Sequence, residues 1–304
     1  MSAASDETWR RTWKKFPSRT WEAIRDSWIA HVAVLSTVGA RPNPGLQDLA
    51  PLISIVTSDS TPDVRFQDVP GIRTNAMSEA LYLFHKCSHT HLAAQRLAVQ
   101  GMHSWCLFNA YHSAYIGARG IMALLGVAFP KVSGVQIAID LFPESNQSKT
   151  SQKRDGVRFD EFVIFRLPML DQRRIWQGLQ RTLRVSRAQC WVEALTDEIL
   201  SIDYEDISPP RNHFLYQAHY WPFDDLTEDC VDERLAVTVM RKLDAGEGGF
   251  LLRLNFLIYR LFEELIRDLA MYSPPVKMQF EGSRCVAIAD IPELSLYRDF
   301  VSRI

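Results

Sequence analysis

Residues 250–271, FLLRLNFLIYRLFEELIRDLAM, carry the clearest structural signal in the chain. Apolar side chains recur every three or four positions, the spacing of the buried stripe of an amphipathic helix, at Leu251, Leu254, Ile258, Leu261, Leu265 and Leu269. The same segment holds too many charged residues for a membrane span, namely Arg253, Arg260, Glu263, Glu264, Arg267 and Asp268. It predicts a long helix packed on the core of a helical bundle, with no membrane contact.

Two earlier segments predict neighbouring helices. Residues 77–100 and 102–127 both have helical spacing, and Gly101 separates them. The second segment has small residues that would let another helix approach closely, at Ala110, Ala114, Gly117 and Ala118. Large aromatic side chains accompany them, which indicates an interior helix, at Trp105, Phe108, Tyr111 and Tyr115. Further helices are predicted at 170–185, at 189–200, near 211 and at 233–243.

A short β region interrupts the helices. Val135, Ile137, Ile139 and Leu141 lie at alternate positions, and a second apolar run covers residues 162–167. The polar residues 143–160 between the two runs are typical of a hairpin loop. Runs at 52–56, 276–281 and 284–289 also favour strands, and we expect the last two to join the same sheet. The predicted fold class is mainly α (α+β), a helical bundle with a small antiparallel β-sheet insertion near residues 134–168.

The first 28 residues are rich in tryptophan, with Trp9, Trp13, Trp21 and Trp28 on two predicted helices. Pro17-Ser18 separates these helices, and Ser18 is the expected cap. One interpretation is that the rings pack on the core of their own chain. The other is that Trp9, Trp13 and Trp21 bind a protein partner, because tryptophan is enriched at interface hot spots. The predicted division is Trp-rich helices at 1–40, an irregular Pro/Gly-rich connection at 41–76 and a helical domain at 77–304.

The composition is that of a globular protein with balanced charge. Of 304 residues, 47% are hydrophobic and 23% are charged, which excludes a disordered chain and a collagen-like repeat. Lys and Arg total 34 against 36 Asp and Glu, so the net charge of -2 gives no overall basic field for nucleic acid. One predicted helix and its C-terminal end are nevertheless basic, a pattern more typical of a solvated face than of a phosphate track, at Arg173, Arg174, Arg181, Arg184 and Arg187.

The cysteines and the N-terminus indicate the compartment. The 5 cysteines are odd in number and have no close pairs, which does not match a disulfide framework and suits a reducing environment. Residues 1–12 are polar and lack the apolar segment of a signal peptide. We therefore expect a cytoplasmic protein.

Residues 85–91, HKCSHTH, form the densest group of metal-ligating side chains. His85 and His89 share a helical face, as do Cys87 and His91, and His103 and Cys106 on the next helix are candidate further ligands. The chain has no His-Glu-x-x-His segment, no Cys-x-x-Cys pair and no Gly-rich phosphate loop. A polar helix face is the more common explanation for clustered histidines, so we predict no metal and no cofactor. A zinc-dependent hydrolase using His85, His89 and a distant ligand stays as the least favoured hypothesis, and whether the His85, His89 and His91 cluster binds metal stays open.

Residues 208–221, SPPRNHFLYQAHYW, combine side chains suited to RNA cleavage. Arg211 supplies a permanent charge that matches phosphate geometry, and histidine is the natural acid or base near neutral pH. The rings of Tyr216, Tyr220 and Trp221 can stack on unpaired bases. The chemistry requires no metal in principle. The structural alternative is that Arg211 and Asn212 cap a helix while the aromatic residues pack beneath it.

Residues 105–127, which include the run NAYHSAYIGARGIMALL at 109–125, resemble the Tyr/Ala-rich second helix of HEPN domains (higher eukaryotes and prokaryotes nucleotide-binding). In that family a later helix opens with Arg-Asn or a similar pair, and a histidine follows after four to six intervening residues. Arg211-Asn212 matches this opening. However, Tyr216 occupies the four-residue spacing, and His219 follows only after seven intervening residues. Either His219 acts from a shifted position or the site is degenerate. The resemblance covers residues 77–271.

The resemblance implies a helical bundle that forms a homodimer with one composite cleft for RNA. It implies an RNA-directed effector of bacterial antiviral defence or of a toxin–antitoxin system, and an active member would be a metal-independent endoribonuclease. Arg211 would then stabilise the scissile phosphate, Asn212 would orient it, and His219 would act as general base or acid. Some members of the family are inactive scaffolds, so the alternative function is a catalytically inactive interaction subunit of a multiprotein complex.

Overall fold

The computed structural model describes residues 19–32, 63–67, 72–129, 131–132, 135–142, 161–166, 172–187, 192–203, 207 and 247–287. The helices in this part of the chain are α1 (Trp21–Val32), α2 (Ile72–Val99), α3 (His103–Leu124), α4 (Gln172–Val185), α5 (Val192–Ser201), α6 (Glu247–Tyr272) and α7 (Pro274–Ala287). The strands are β1 (Arg19–Thr20), β2 (Asp63–Gln67), β3 (Val127–Ala128), β4 (Lys131–Val132), β5 (Val135–Asp140), β6 (Glu161–Arg166) and β7 (Ser186–Arg187). The predicted fold class, a helical bundle with a small antiparallel sheet, is confirmed.

Helix α3 lies at the centre of the bundle, in contact with α2, α4 and α6. Its glycines bring the helices very close together. A Cβ atom at Gly117 would lie 2.6 Å from Cγ2 of Ile258 on α6, and one at Gly120 would lie 2.2 Å from Cζ of Phe262. The close helix approach predicted from the small residues of this segment is therefore confirmed.

Helix α6 includes residues 250–271, and the apolar stripe from Leu251 to Leu269 is buried as predicted. Its charged residues are paired. Arg260 and Arg267 lie one helical turn before and one turn after Glu263 and Glu264, and both arginines donate to these buried carboxylates. The other two pairs join different helices, Arg253 with Glu198 of α5 and Asp268 with Arg25 of α1. This pairing offsets part of the desolvation cost of burying the two glutamates.

The end of α2 is defined by Gly101, whose φ of 73° lies in the left-handed region. The Gly101 N–H donates to the Ala98 carbonyl and the Met102 N–H donates to the Leu97 carbonyl, which together form a Schellman motif. This motif reverses the chain within a few residues. It therefore sets α2 and α3 as packed neighbours, as the sequence predicts.

The main sheet has the strand order β2–β6–β5–β3, with β4 also paired to β5, and all these pairings are antiparallel. Strands β5 and β6 confirm the two predicted runs, and Ile139 faces Ile164 across the pair. Strand β2 lies in the segment 41–76, where an irregular connection was expected. The alternation of Val64 and Phe66 was its signal in the sequence.

The two strands predicted at 276–281 and 284–289 are wrong wherever the structure describes these residues, because helix α7 occupies 274–287. Val276 and Phe280 are both buried and lie four residues apart, the spacing of one helical face. Ser273 begins the helix, since its hydroxyl accepts a hydrogen bond from the Val276 N–H at 3.4 Å. Pro274 then occupies the first turn, where proline is tolerated.

Two tryptophans of the N-terminal region belong to the core, as the first interpretation predicts. Trp21 is 2% exposed and donates to the Asp268 carboxylate at 2.7 Å, and Trp28 donates to the Leu124 carbonyl at 2.7 Å. The cap of α1 is Thr20 instead of Ser18, because the Thr20 hydroxyl accepts from the Ala23 N–H at 3.2 Å. The predicted partner contact through Trp21 is therefore wrong, because this ring is buried in its own chain. Trp9 and Trp13 lie outside the described residues, so the partner contact through them stays a prediction.

Other predictions also fall outside the described residues: the strand at 52–56, the loop at 143–160, and the helices near 211 and at 233–243. None of the helices that the structure describes combines the length and the apolarity needed to cross a membrane.

Candidate nucleic-acid interface

The predicted cleavage site lies outside the described residues. This holds for the proposed catalytic residues Arg211, Asn212 and His219 and for the proposed base-stacking residues Tyr216, Tyr220 and Trp221. The roles assigned to them stay predictions.

The histidine cluster of α2 divides between two faces of the helix. The rings of His85 and His89 lie 4.3 Å apart on the outer side, where the His89 side chain is exposed. Burial and the neighbouring His89 both lower the pKa of His85. Cys87 and His91 face the opposite way and are buried. The cluster that looks continuous in sequence is therefore not one site.

Cys87 is a structural residue. Its Sγ lies 3.4 Å from the carbonyl oxygen of Ser113, and the Ser113 hydroxyl donates to the Cys87 carbonyl. Burial raises the pKa of this thiol to about 12, so a thiolate is not available for ligation or nucleophilic attack at neutral pH.

The candidate further ligands of a metal site, His103 and Cys106, are buried as well. Within the described part of the chain, no three His, Cys, Asp or Glu side chains are grouped to hold a metal ion.

His91 joins α2 to α6 through hydrogen bonds that the sequence analysis did not foresee. The side-chain amides of Gln95 and Asn255 lie 2.8 Å and 2.9 Å from its two ring nitrogens. The imidazole also stacks on Tyr259, with ring centroids 4.2 Å apart. Burial lowers the pKa of His91 to about 4, against a smaller opposing effect of the Asn255 hydrogen bond. The ring is neutral near pH 7 and acts as a structural link between the helices.

A row of rings lies along the outer face of α3, and we call it the aromatic row. Its members, spaced three and four residues apart, are Trp105, Phe108, His112 and Tyr115. Trp105 is 47% exposed, and the other three are half-buried. Ring centroids are 5.7 Å apart for Trp105 and Phe108 and 4.4 Å for Phe108 and His112, in edge-on or tilted arrangements. Helix α3 is therefore buried on its small-residue face and partly exposed along the aromatic row.

Arg119 continues the aromatic row by one more turn. Its guanidinium lies 4.0 Å from Glu79 of α2, at the limit of an ion pair. Burial raises the pKa of Glu79, and the nearby Arg119 lowers it in part. The aromatic row thus ends in a cation whose carboxylate neighbour is only loosely paired.

A second row lies on α4, and we call it the arginine row: Arg173, Arg181 and Arg184. With Gln177 these residues share the outward face of the helix, where Arg184 is exposed and the others are half-buried. Arg174 faces inward, is buried and donates to Gln177 at 2.8 Å. The sequence of α4, QRRIWQGLQRTLRV, contains no Asp or Glu. The side chains of α4 itself therefore carry only positive charge, against an overall net charge of -2.

Helix α4, which carries the arginine row, packs directly on α3, which carries the aromatic row. The Tyr111 hydroxyl donates to Oε1 of Gln172 at 2.5 Å, and its ring lies 6.4 Å from that of Trp176. These contacts place the first turn of α4 beside Tyr111. The two packed helices thus carry arginines and aromatic rings, the two kinds of side chain by which proteins bind nucleic-acid strands. Sequence reasoning found both groups of residues but had no evidence that their helices pack together.

Comparison of the chain with protein-family models, with curated proteins and with solved structures found no match.

Proposed function

We propose that this protein is a HEPN-like, RNA-directed effector that acts as a metal-independent endoribonuclease. The observation that carries the proposal is the arginine row beside α3, the helix on which the HEPN resemblance rests. Phosphate recognition needs local positive charge, and the acid-free α4 supplies it where the overall charge does not. An effector of bacterial defence or of a toxin–antitoxin system is the biological setting that the resemblance supports.

The cleavage chemistry belongs to residues 211–219 in this proposal. Arg211 stabilises the charge on the phosphorane, Asn212 orients the phosphate, and His219 moves the proton of the 2′-hydroxyl or of the leaving oxygen. Two protomers contribute these groups across a composite cleft. The resemblance supports this scheme, and the spacing of His219 is the feature that most needs testing.

The test is RNA cleavage by Arg211→Ala and His219→Ala variants, with growth toxicity as a second readout. Both variants are expected to lose cleavage and toxicity while keeping the circular dichroism spectrum of the parent. Because Tyr216 occupies the family's histidine spacing, Tyr216→His added to His219→Ala should recover cleavage if register alone matters. His85→Gln, on α2, is the matched control. Arg211→Ala and His219→Ala variants that cleave like the parent would end the ribonuclease proposal.

A second candidate, an inactive interaction subunit, is favoured by exposed apolar side chains near the junction of α6 and α7. Met271, Tyr272 and Met278 are 68%, 52% and 65% exposed, and exposed apolar side chains grouped in one region are typical of interaction sites. In this alternative the parent cleaves no RNA and co-purifies with a defined partner in stoichiometric amount.

Replacing Met271 and Met278 by glutamate is the prediction specific to this alternative. The added charges should reduce recovery of the partner at least tenfold, since hot-spot truncations commonly cost more than 1.4 kcal/mol. Co-purification experiments with the parent, the double variant and a Trp9→Ala/Trp13→Ala variant measure it. If both variants recover as much partner as the parent does, neither the exposed residues of α6 and α7 nor the N-terminal tryptophans form the partner contact.

A further inference from the structure

We infer that His85 and His89, on the outer side of α2, form a two-histidine site for a divalent transition-metal ion, with Ni²⁺ or Cu²⁺ favoured over Zn²⁺. The inference goes beyond the proposed function, because the cleavage scheme at residues 211–219 uses no metal. Its structural basis is the contact between the two rings, whose centroids lie 4.3 Å apart.

The helix holds the two rings together before any ion arrives. His85 and His89 are one helical turn apart, so their side chains stand on the same face of α2. The same spacing brings two helical histidines to one zinc ion in metalloproteases. Helix α2 extends without interruption from Ile72 to Val99 and packs on α3, α6 and α7. Its backbone is thus already ordered, and binding has to order side chains only.

The distance between the rings favours one class of metal ion. With metal–nitrogen bonds of about 2.0 Å, two imidazole rings bound at a right angle have centroids about 4.5 Å apart, and two bound at the tetrahedral angle about 5.2 Å. The separation of 4.3 Å between His85 and His89 matches the right angle. Right angles are typical of tetragonal Cu²⁺ and Ni²⁺ sites, whereas Zn²⁺ prefers tetrahedral coordination.

Each ring can present a nitrogen to a shared ion. His89 is exposed and His85 is half-buried, and their planes are tilted by 50°, so the pair does not form a closed face-to-face stack. The outer torsion of histidine is broad, which lets the exposed ring turn without a change in the core. A ligating histidine uses one ring nitrogen, and its other nitrogen commonly bonds to a neighbouring group. The site is therefore compatible with further contacts of His85.

The coordination of the ion is completed from outside this pair. Cys87 and His91 are buried on the opposite face of α2, and among the described residues no third His, Cys, Asp or Glu joins the two histidines. Water or donor atoms of another molecule would fill the remaining positions. A structural zinc centre has four protein ligands, so this site differs from one, and we expect its ion to exchange with the solution.

Isothermal titration calorimetry of the whole chain with Ni²⁺ measures the binding, with Zn²⁺ as the comparison. The parent should bind one Ni²⁺ per chain more tightly than Zn²⁺. His85→Gln and His89→Gln should each weaken Ni²⁺ binding at least about tenfold. Saturating Ni²⁺ should also raise the Tm of the parent and leave that of both variants nearly unchanged.

Two exposed-site variants of the same helix serve as matched controls. Lys86→Gln removes a neighbouring side chain that is no ligand and should bind Ni²⁺ at least as tightly as the parent. His89→Gln/Lys86→His keeps the total of 8 histidines but sets the pair at adjacent positions, which do not share a helical face. This variant should bind as weakly as His89→Gln alone.

Three results would overturn the inference. These are a parent that binds Ni²⁺ more weakly than about 1 mM, His85→Gln and His89→Gln variants that bind like the parent, and Zn²⁺ binding that is tighter than Ni²⁺ binding. The second result would assign the ion to other side chains of the chain.

The outcome is separable from that of the proposed function. Variants that lose Ni²⁺ but still cleave RNA support the inference and leave the metal-independent ribonuclease in place. A chain that shows this pattern of Ni²⁺ binding without any ribonuclease activity supports the inference and removes the endoribonuclease. Cleavage that depends on Arg211, in a chain that binds no Ni²⁺, overturns the inference alone.

Discussion

Gly120→Ala is expected to lower the free energy of unfolding by about 2 kcal/mol, although alanine is the better helix former. The added Cβ would lie 2.2 Å from Cζ and 2.4 Å from Cε1 of Phe262. The ring cannot simply move away, because it is fully buried and the Phe84 ring lies edge-on to it at 5.1 Å. Overpacking costs up to about 3 kcal/mol, and the gain in helix propensity offsets about 1 kcal/mol of it.

Urea unfolding followed by circular dichroism measures this effect. Phe262→Leu combined with Gly120→Ala should recover at least about 1 kcal/mol relative to the sum of the single changes, because the smaller side chain leaves room for the methyl group. Asn109→Ala, on the outward face of the same helix, is the control and should change stability by less than about 0.5 kcal/mol. A Gly120→Ala protein as stable as the parent would contradict the close packing of α3 on α6.

The helices of the bundle were predictable because their apolar spacing persists over many turns. Residues 250–271 are an example, since their apolar stripe keeps the helical spacing from Leu251 to Leu269 and does not fit the alternation of a strand. Helix α7 was not predictable by the same reasoning. In residues 276–281 the apolar positions fit both alternation and a four-residue spacing, and only the packing of Val276 and Phe280 on the bundle decides between them. Short apolar runs are ambiguous in this way because the period cannot be measured over one turn.

The candidate interface depended on contacts that no local pattern contains. The arginines of α4 and the aromatic residues of α3 are visible in the sequence, but the hydrogen bond that joins their helices links residues 61 positions apart. The sequence also suggested that α3 is interior because its aromatic side chains are large. Its small residues are the ones that face α2 and α6, which leaves part of the aromatic side for solvent. Residue size alone could not show which face of the helix is buried.

Lowering the pH from 6.5 to 4 is expected to destabilise the protein through His91. Its pKa is about 4 in the folded chain against an ordinary value of 6.5, so the unfolded chain binds more protons throughout this interval. The stabilisation is fully present above pH 6.5 and is lost as the pH falls toward 4. At 1.36 kcal/mol per pH unit, the full loss is about 3 kcal/mol.

The chemistry of the buried ring explains why protonation is unfavourable at this position. A neutral imidazole has one N–H donor and one lone pair, so one of the amides of Gln95 and Asn255 must donate and the other must accept. A protonated ring has two donors and no lone pair, so any amide that presents its nitrogen to the ring would have to turn to present its oxygen.

The decisive measurement compares the pH dependence of unfolding in the parent and in a His91→Gln variant. Contributions of other groups, such as the raised pKa of Glu79 and the lowered pKa of His85, act in both proteins and cancel in the difference. The parent should lose stability more steeply between pH 6.5 and 4, whereas the variant should be less stable than the parent at pH 7 and flatter below it. His85→Gln, which changes a more exposed ring on the same helix, should keep most of the steep slope. Parallel curves for parent and His91→Gln would mean that His91 titrates normally, and the hydrogen-bonded contact between α2 and α6 could not then hold the ring neutral.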